Sequence, residues 1–125
     1  SDTSWGFQVT NYSVDASNFV FTSPSSSGLY TTTEAFVTIK WQVSDTNVTS
    51  VSVNDYTLKS YNGSTWRYHA SIANNNLSDG TNVYVVKYFD TAGTLLYQNN
   101  YTIVKKEAGA ASVVPKDTQI ISDEV

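Results

Sequence analysis

Few residues in this 125-residue chain are equipped for chemistry, and their spacing narrows what they can do. His69 is the sole histidine and there is no cysteine. A metal site with two His ligands, a cysteine-based metal centre, a thiolate nucleophile and a disulfide are therefore excluded within one chain. His69 could serve as a base toward Ser60 or Ser71, but it falls on the outward side of an alternating segment beside Arg67, the place of a solvated surface residue. Asp45, Asp55, Asp79 and Asp90 all fall in turns. Two of them in one cleft would suit glycoside cleavage, and with Asn54 and Asn82 they could hold Ca²⁺. No Asp-x-Asp-x-Asp-Gly loop is present, and isolated turn aspartates more commonly hydrogen-bond their own loop. Lys40, beside Trp41 and within range of Glu34 or Asp90, raises an intramolecular isopeptide bond. That reaction needs a desolvated, neutral amine, whereas alternation puts Lys40 on the polar face. There is no glycine-rich phosphate loop and no nucleophile elbow. No catalytic residue, metal site or cofactor is expected.

Residues that could bind rather than react are more numerous. Asn-x-Ser/Thr triplets stand at Asn11, Asn47, Asn62, Asn76 and Asn100, a mild excess over the roughly three that this composition yields by chance. Asn47 and Asn62, in turns, are the best placed for glycosylation, and an unmodified Asn-rich surface is the alternative. Aromatic faces stack on pyranose rings, and Tyr61, Tyr97 and Tyr101, with Trp66, could build a sugar platform. Trp41 and Trp66 are instead expected in the core, where burial of a large aromatic contributes about 2–3 kcal/mol.

The elements that must position these groups follow from alternation. In residues 35–43, Ala35, Val37, Ile39, Trp41 and Val43 share one face. In 66–72, Trp66, Tyr68, Ala70 and Ile72 do the same, and in 48–54 Val51 and Val53 point together. Residues 82–90 are apolar on both faces, the pattern of a central, doubly covered strand. Residues 19–23, 56–61 and 95–105 complete seven short strands, and no window carries a helical period over three turns. Asn62-Gly63 suits a tight hairpin between 56–61 and 65–72. Asp79-Gly80 and Thr91-Ala92-Gly93 divide the later strands, and Pro24 with Gly28 separates the first strand from the next. An all-β, two-sheet sandwich of the immunoglobulin-like kind is predicted.

Composition narrows the setting. Only 14% of residues are charged, against about 25% in an average soluble protein, and Ser, Thr and Asn fill the gap. A net charge of −4 argues against a nucleic-acid partner. No run approaches the ~18 apolar residues of a membrane span. There is no signal peptide in the chain as it stands. A hydroxyl-rich chain without Cys or Met resists oxidation, which points to an extracellular or cell-surface location.

Several short motifs carry a family likeness. Phe21-Thr22-Ser23-Pro24, Val51-Ser52-Val53-Asn54-Asp55, Trp66-Arg67-Tyr68, Asn76-Leu77-Ser78-Asp79-Gly80-Thr81-Asn82 and Tyr88-Phe89-Asp90-Thr91-Ala92-Gly93 occur in order. Through them, residues 18–105 resemble the bacterial-type immunoglobulin-like domains of surface proteins and secreted glycan-active enzymes, the glucodextranase-B-like group among them. Asp55 stands where that family has Gly, which puts the tightness of that turn in doubt. The resemblance implies a sandwich used as spacer, stalk unit, adhesion module or assembly subunit, and says little of function because its motifs are turns and core positions.

The chain divides into an extension at 1–17, a sandwich at 18–106, and a linker with tail at 107–125. Trp5, Phe7 and Val9 alternate in the first part. In the last, small residues at 108–112 read as a flexible joint before Val113, Val114, Ile120 and Ile121. Either segment could be donated to an open sheet edge of a neighbouring copy, and such head-to-tail contact builds a filament. The expected function is a non-enzymatic structural subunit of an extracellular fibre, pilus-like thread or surface layer, with copies of itself as partners. The alternative is a carbohydrate-binding or spacer module of a larger secreted enzyme or adhesin, with glycans as the ligand.

Overall fold

Alternating apolar side chains make each strand one-sided, and two one-sided sheets can hide those sides only against each other. A computed structural model describes residues 14–58 and 63–107 and shows that arrangement. One sheet has three strands in the order β1 (Phe19–Ser23), β3 (Phe36–Val43), β6 (Thr65–Ser71). The other has five, in the order β2 (Leu29–Thr32), β8 (Leu95–Lys105), β7 (Gly80–Phe89), β4 (Ser50–Val53), β5 (Tyr56–Thr57). All pairings are antiparallel except β2 with β8. The protein is an all-β, immunoglobulin-like two-sheet sandwich.

The core lies between the sheets. Ile39 and Trp41 of β3 and Trp66 and Ala70 of β6 face Val51 and Val53 of β4, Tyr84, Val86 and Tyr88 of β7, and Tyr101 and Ile103 of β8. Val51, Val53, Trp41 and Tyr101 are wholly buried. Aromatic rings tile one flank, with Phe19 stacked on Tyr97 at 4.4 Å and Phe21 edge-on to Tyr101 at 4.9 Å.

Four sequence expectations change here. First, β7 is central in its sheet but covered on one face: Val83, on its other face, is 48% exposed. Second, Ile72 lies just past the end of β6 and is 46% exposed instead of inward. Third, there is no hairpin joining β5 to β6. β5 pairs with β4 and β6 with β3, so the chain around Gly63 crosses from one sheet to the other. Fourth, an eighth strand, β2, lies beside β8. Its inward signal is too thin to show in sequence, because Thr32 alone of its four residues is buried. Gly28 admits it: its φ of +83° suits glycine, and a Cβ there would sit 3.3 Å from the Asn100 carbonyl oxygen.

The turn left in doubt by Asp55 is tight. Val53 pairs directly with Tyr56 across Asn54 and Asp55, whose φ values of 48° and 69° are those of a two-residue hairpin with both central residues left-handed. Asn54 also extends the sheet. Its side chain accepts from the Val85 N–H at 2.8 Å and donates to the Val83 carbonyl at 3.3 Å, standing in for the next residue of β4.

The register fixes two poles. The starts of β1, β6 and β8 and the ends of β3 and β7 lie at one, where Ser44 N–H meets the Asn18 carbonyl. The ends of β2, β6 and β8 and the start of β7 lie at the other, where Lys106 N–H meets the Thr32 carbonyl. The described chain thus enters at one pole and leaves at the opposite one.

Candidate functional site

Side chains that looked reactive in sequence turn out to shape backbone. At the entry pole, Asp45 accepts from the Asn47 N–H at 2.9 Å and Asp90 from the Thr94 N–H at 2.9 Å, each closing its own turn. Midway along β7, Asp55 of the β4–β5 turn approaches Lys87 at 3.7 Å across the surface, and at the exit pole Asp79 pairs with Lys105. Asp45 and Asp90 thus lie at one pole, Asp79 at the other, and Asp55 between them. Among the described residues no three of His, Asp and Glu gather to hold a metal.

His69 is exposed on the outer face of the three-stranded sheet, where its Nδ1 lies 3.0 Å from the Thr38 hydroxyl and its ring leans on Phe36. Lys40 is exposed on the same face, without the desolvation an isopeptide bond requires. The sugar platform does not assemble from its described members. Tyr101 is fully buried and its hydroxyl accepts from the Ser25 N–H at 2.9 Å. Tyr97 is half-buried against Phe19, and Trp66 is in the core. Tyr61 lies outside the described residues, as do Asn11 and Asn62 of the triplets and Trp5, Phe7, Val9, Val113, Val114, Ile120 and Ile121 of the donor segments.

Of the described triplets, Asn47 and Asn100 are exposed, while Asn76 is built into the fold. Its amide oxygen accepts from the Ser71 N–H at 2.7 Å, and its amide nitrogen donates to the Tyr68 hydroxyl at 2.9 Å and the His69 carbonyl at 3.2 Å. Its carbonyl accepts from the buried Tyr84 hydroxyl, the corner by which immunoglobulin-like sandwiches tie the start of this strand to the preceding loop. Asn82 secures the same loop, accepting from the Ser78 N–H and donating to the Ser78, Gly80 and Ile103 carbonyls. Between these asparagines an open groove of about 590 Å³ exposes Ile72 and Val83. Asn54, Asn76 and Asn82 on its walls are already committed to backbone.

Burial raises the proton affinity of two tyrosines. Tyr84 is pushed from 10.0 to about 12, chiefly by burial and then by neighbouring Tyr68. Tyr88 is pushed higher still, by burial first, against the lowering effect of its bond to Asn99. The unfolded chain therefore ionises first as pH climbs. The contribution is complete below the ordinary tyrosine value of 10.0 and is lost as pH rises toward about 12 for Tyr84. Denaturant titrations at increasing alkalinity should show stability falling from pH 10 upward. Tyr84→Phe, weaker at neutral pH without its bond to Asn76, should decline less steeply.

The residue that sequence reasoning missed is Lys105. It ends the inward row Tyr101, Ile103, Lys105 of β8, and its side chain is 5% exposed. Its ammonium donates to Asp79 at 2.8 Å and to the Lys106 carbonyl at 3.4 Å. Its odd-numbered place in the alternation was the available signal. Removing one partner of such a pair strands the other. Asp79→Ala should cost about 1–3 kcal/mol, between the exposed-pair and buried-pair ranges because Asp79 is half exposed. Lys105→Met, which fills the same buried space without charge and leaves behind only an Asp79 that water can solvate, should be close to neutral. Urea unfolding of both variants checks the asymmetry.

No protein-family profile matches the chain, and no curated protein matches it in sequence. In fold it is similar to the fibronectin(III)-like modules of Clostridium thermocellum CbhA, at 15% identity over 73% of this chain and 99% of that one, with a TM-score of 0.49. It is also similar to part of the endo-beta-1,4-mannanase of Thermotoga petrophila, at 12% identity and a TM-score of 0.51, over 72% of this chain and 20% of the mannanase. An engineered protein aligns over 70% of this chain and 19% of its own, at 21% identity and a TM-score of 0.46. At these identities the likeness is one of fold, and the narrower glucodextranase-B-like resemblance stands on the sequence motifs alone.

Proposed function

We propose that residues 14–107 are a non-catalytic, extracellular spacer module of a larger secreted protein, of the kind that acts on or adheres to glycans. The observation that carries this reading is the polarity of the chain: it enters at one pole and leaves at the other, with β7 and β8 running the length between. Ten residues of β7 set a span of about 33 Å, a strut that holds flanking segments apart. The commitment of Asn54, Asn76, Asn82, Asp45 and Asp90 to their own loops supports it, since those groups serve shape. The mannanase, a fifth of whose chain shares this fold, supports the setting. As a spacer, the full chain should sediment as a monomer throughout the micromolar range and show no tryptophan or tyrosine fluorescence change with soluble plant or bacterial glycans. A saturable glycan response would make it a binding module. Concentration-dependent elongation, abolished by removing residues 108–125 or 1–13, would make it the strand-donating fibre subunit that the terminal apolar residues first suggest.

A further inference from the structure

The outer face of the three-stranded sheet has a charge pattern opposite to that of the chain as a whole. β1, β3 and β6 contain Lys40, Arg67 and His69 and no acidic residue, in a chain whose net charge is −4. All three are exposed, while their strand neighbours Ile39, Trp41, Trp66 and Ala70 are buried. The register sets Lys40 directly opposite Arg67, and His69 opposite Thr38. Facing side chains on antiparallel strands have Cβ atoms about 5 Å apart, and Arg67 and His69, at alternate positions of β6, stand about 7 Å apart. Like charges placed directly opposite each other weaken a sheet, so the fold gains nothing from this pairing. Neither Lys40 nor Arg67 has an ion-pair partner among the described residues. At the end of this strip Phe36 is 57% exposed, its ring tilted against His69 at 5.8 Å. The carboxylates lie beyond the ends of the face or on the opposite sheet: Asp45 and Asp90 at the entry pole, Glu34 and Asp79 at the exit pole, Asp55 on the other sheet.

We propose that this face binds a linear carboxylated polysaccharide, a polyuronate, along the strip from Lys40 and Arg67 to Phe36. The proposal stands on the face itself and adds a ligand to the module whether or not it is a spacer. On an open sheet each ion contact is solvated and weak. A ligand held there must repeat its charge, as a polyuronate does from ring to ring. Width also selects it. The acidic poles repel a broad anionic surface, such as a membrane, wherever it comes within a Debye length of about 8–10 Å, whereas a single polymer strand fits between them. Phe36 separates sugars from other narrow polyanions, because an exposed ring packs against the C–H face of a pyranose and finds no such face on polyglutamate. His69 adds a ring nitrogen, since Thr38 engages only its Nδ1. Trp41 and Trp66 are buried beneath the face and Tyr68 packs inward against Tyr84, so occupancy leaves unmoved the fluorescence that tests the spacer reading.

Affinity electrophoresis of the full chain through gels containing polygalacturonate tests this, with mobility referred to gels without polymer. The unaltered chain should be retarded, less so as salt is raised, and should run freely through neutral dextran. Lys40→Gln combined with Arg67→Gln should weaken retention about tenfold or more, since two charge-assisted contacts are removed. Lys87→Gln combined with Lys106→Gln makes the same change of net charge away from the face and should leave retention in place. Phe36→Ala should weaken binding to polygalacturonate but not to polyglutamate. Thermal melts establish that each variant is folded. No retention of the unaltered chain overturns the proposal, as does an equal loss in the two double variants or an unaltered affinity in Phe36→Ala. Tighter binding to polyglutamate or to phosphatidylglycerol vesicles than to polygalacturonate overturns it in favour of an acidic protein segment or a membrane surface.

Discussion

Trp41→Ala will cost about 3–5 kcal/mol of unfolding free energy, a large part of the 5–15 kcal/mol typical of a domain. The indole is fully buried in the middle of β3 and meets Phe21 edge-on at 6.2 Å. Truncation leaves a void that rigid strands on both sides close only in part. The sharper expectation concerns Trp41→Phe. Among the described residues the indole N–H has no hydrogen-bond partner, so burial costs this polar group its hydration without a return from them. Phenylalanine removes that group together with some contact area, and the two effects oppose each other. Chemical denaturation should place Trp41→Phe within about 1.5 kcal/mol of the parent. A phenylalanine variant as damaged as the alanine one would show that the N–H is in fact satisfied or that the ring's full outline is required.

Asn76→Ala will cost about 2–4 kcal/mol, because it deletes three hydrogen bonds at once and leaves the buried Ser71 N–H and the half-buried Tyr68 hydroxyl without replacements. The Ser71 N–H is the most affected, since Ser71 is 5% exposed. Asn76→Asp separates the roles of the two amide ends. A carboxylate can still accept from the Ser71 N–H and the Tyr68 hydroxyl, but it faces the His69 carbonyl as one acceptor against another. The charged form is therefore disfavoured in the folded state and the folded pKa is raised. By linkage, the variant should regain stability as pH falls and the acid protonates, in the pH range where the parent gains nothing comparable. Thermal melts of the two variants between neutral and mildly acidic pH distinguish these outcomes.

Asn76 also illustrates how a motif can be visible and misread. In sequence it heads an Asn-x-Ser triplet and suggests modification. In the fold its amide completes the edge of β6 and its carbonyl receives Tyr84, eight residues downstream. Asn54 is similar: the Val-x-Val-Asn pattern marked a turn, while its service as a surrogate strand residue to Val83 and Val85 depended on β7 lying alongside. Tyr101 looked like an available aromatic face because β8 alternates polar and aromatic residues. The inward phase of that strand was fixed by its partners, and it buried Tyr101 and Lys105 on the same side.

The alternating pattern alone determined that this chain forms strands, which faces of β3 and β4 turn inward, and that the result is a two-sheet sandwich, because a period of two is a local property that each strand carries by itself. Only the tertiary structure decided that β2 exists, that β5 and β6 belong to different sheets, and that Lys105 is buried against Asp79. Each of these depends on which strand lies beside which, and pairing between residues far apart in the chain is set by the closing of the whole core, which no short stretch of sequence encodes.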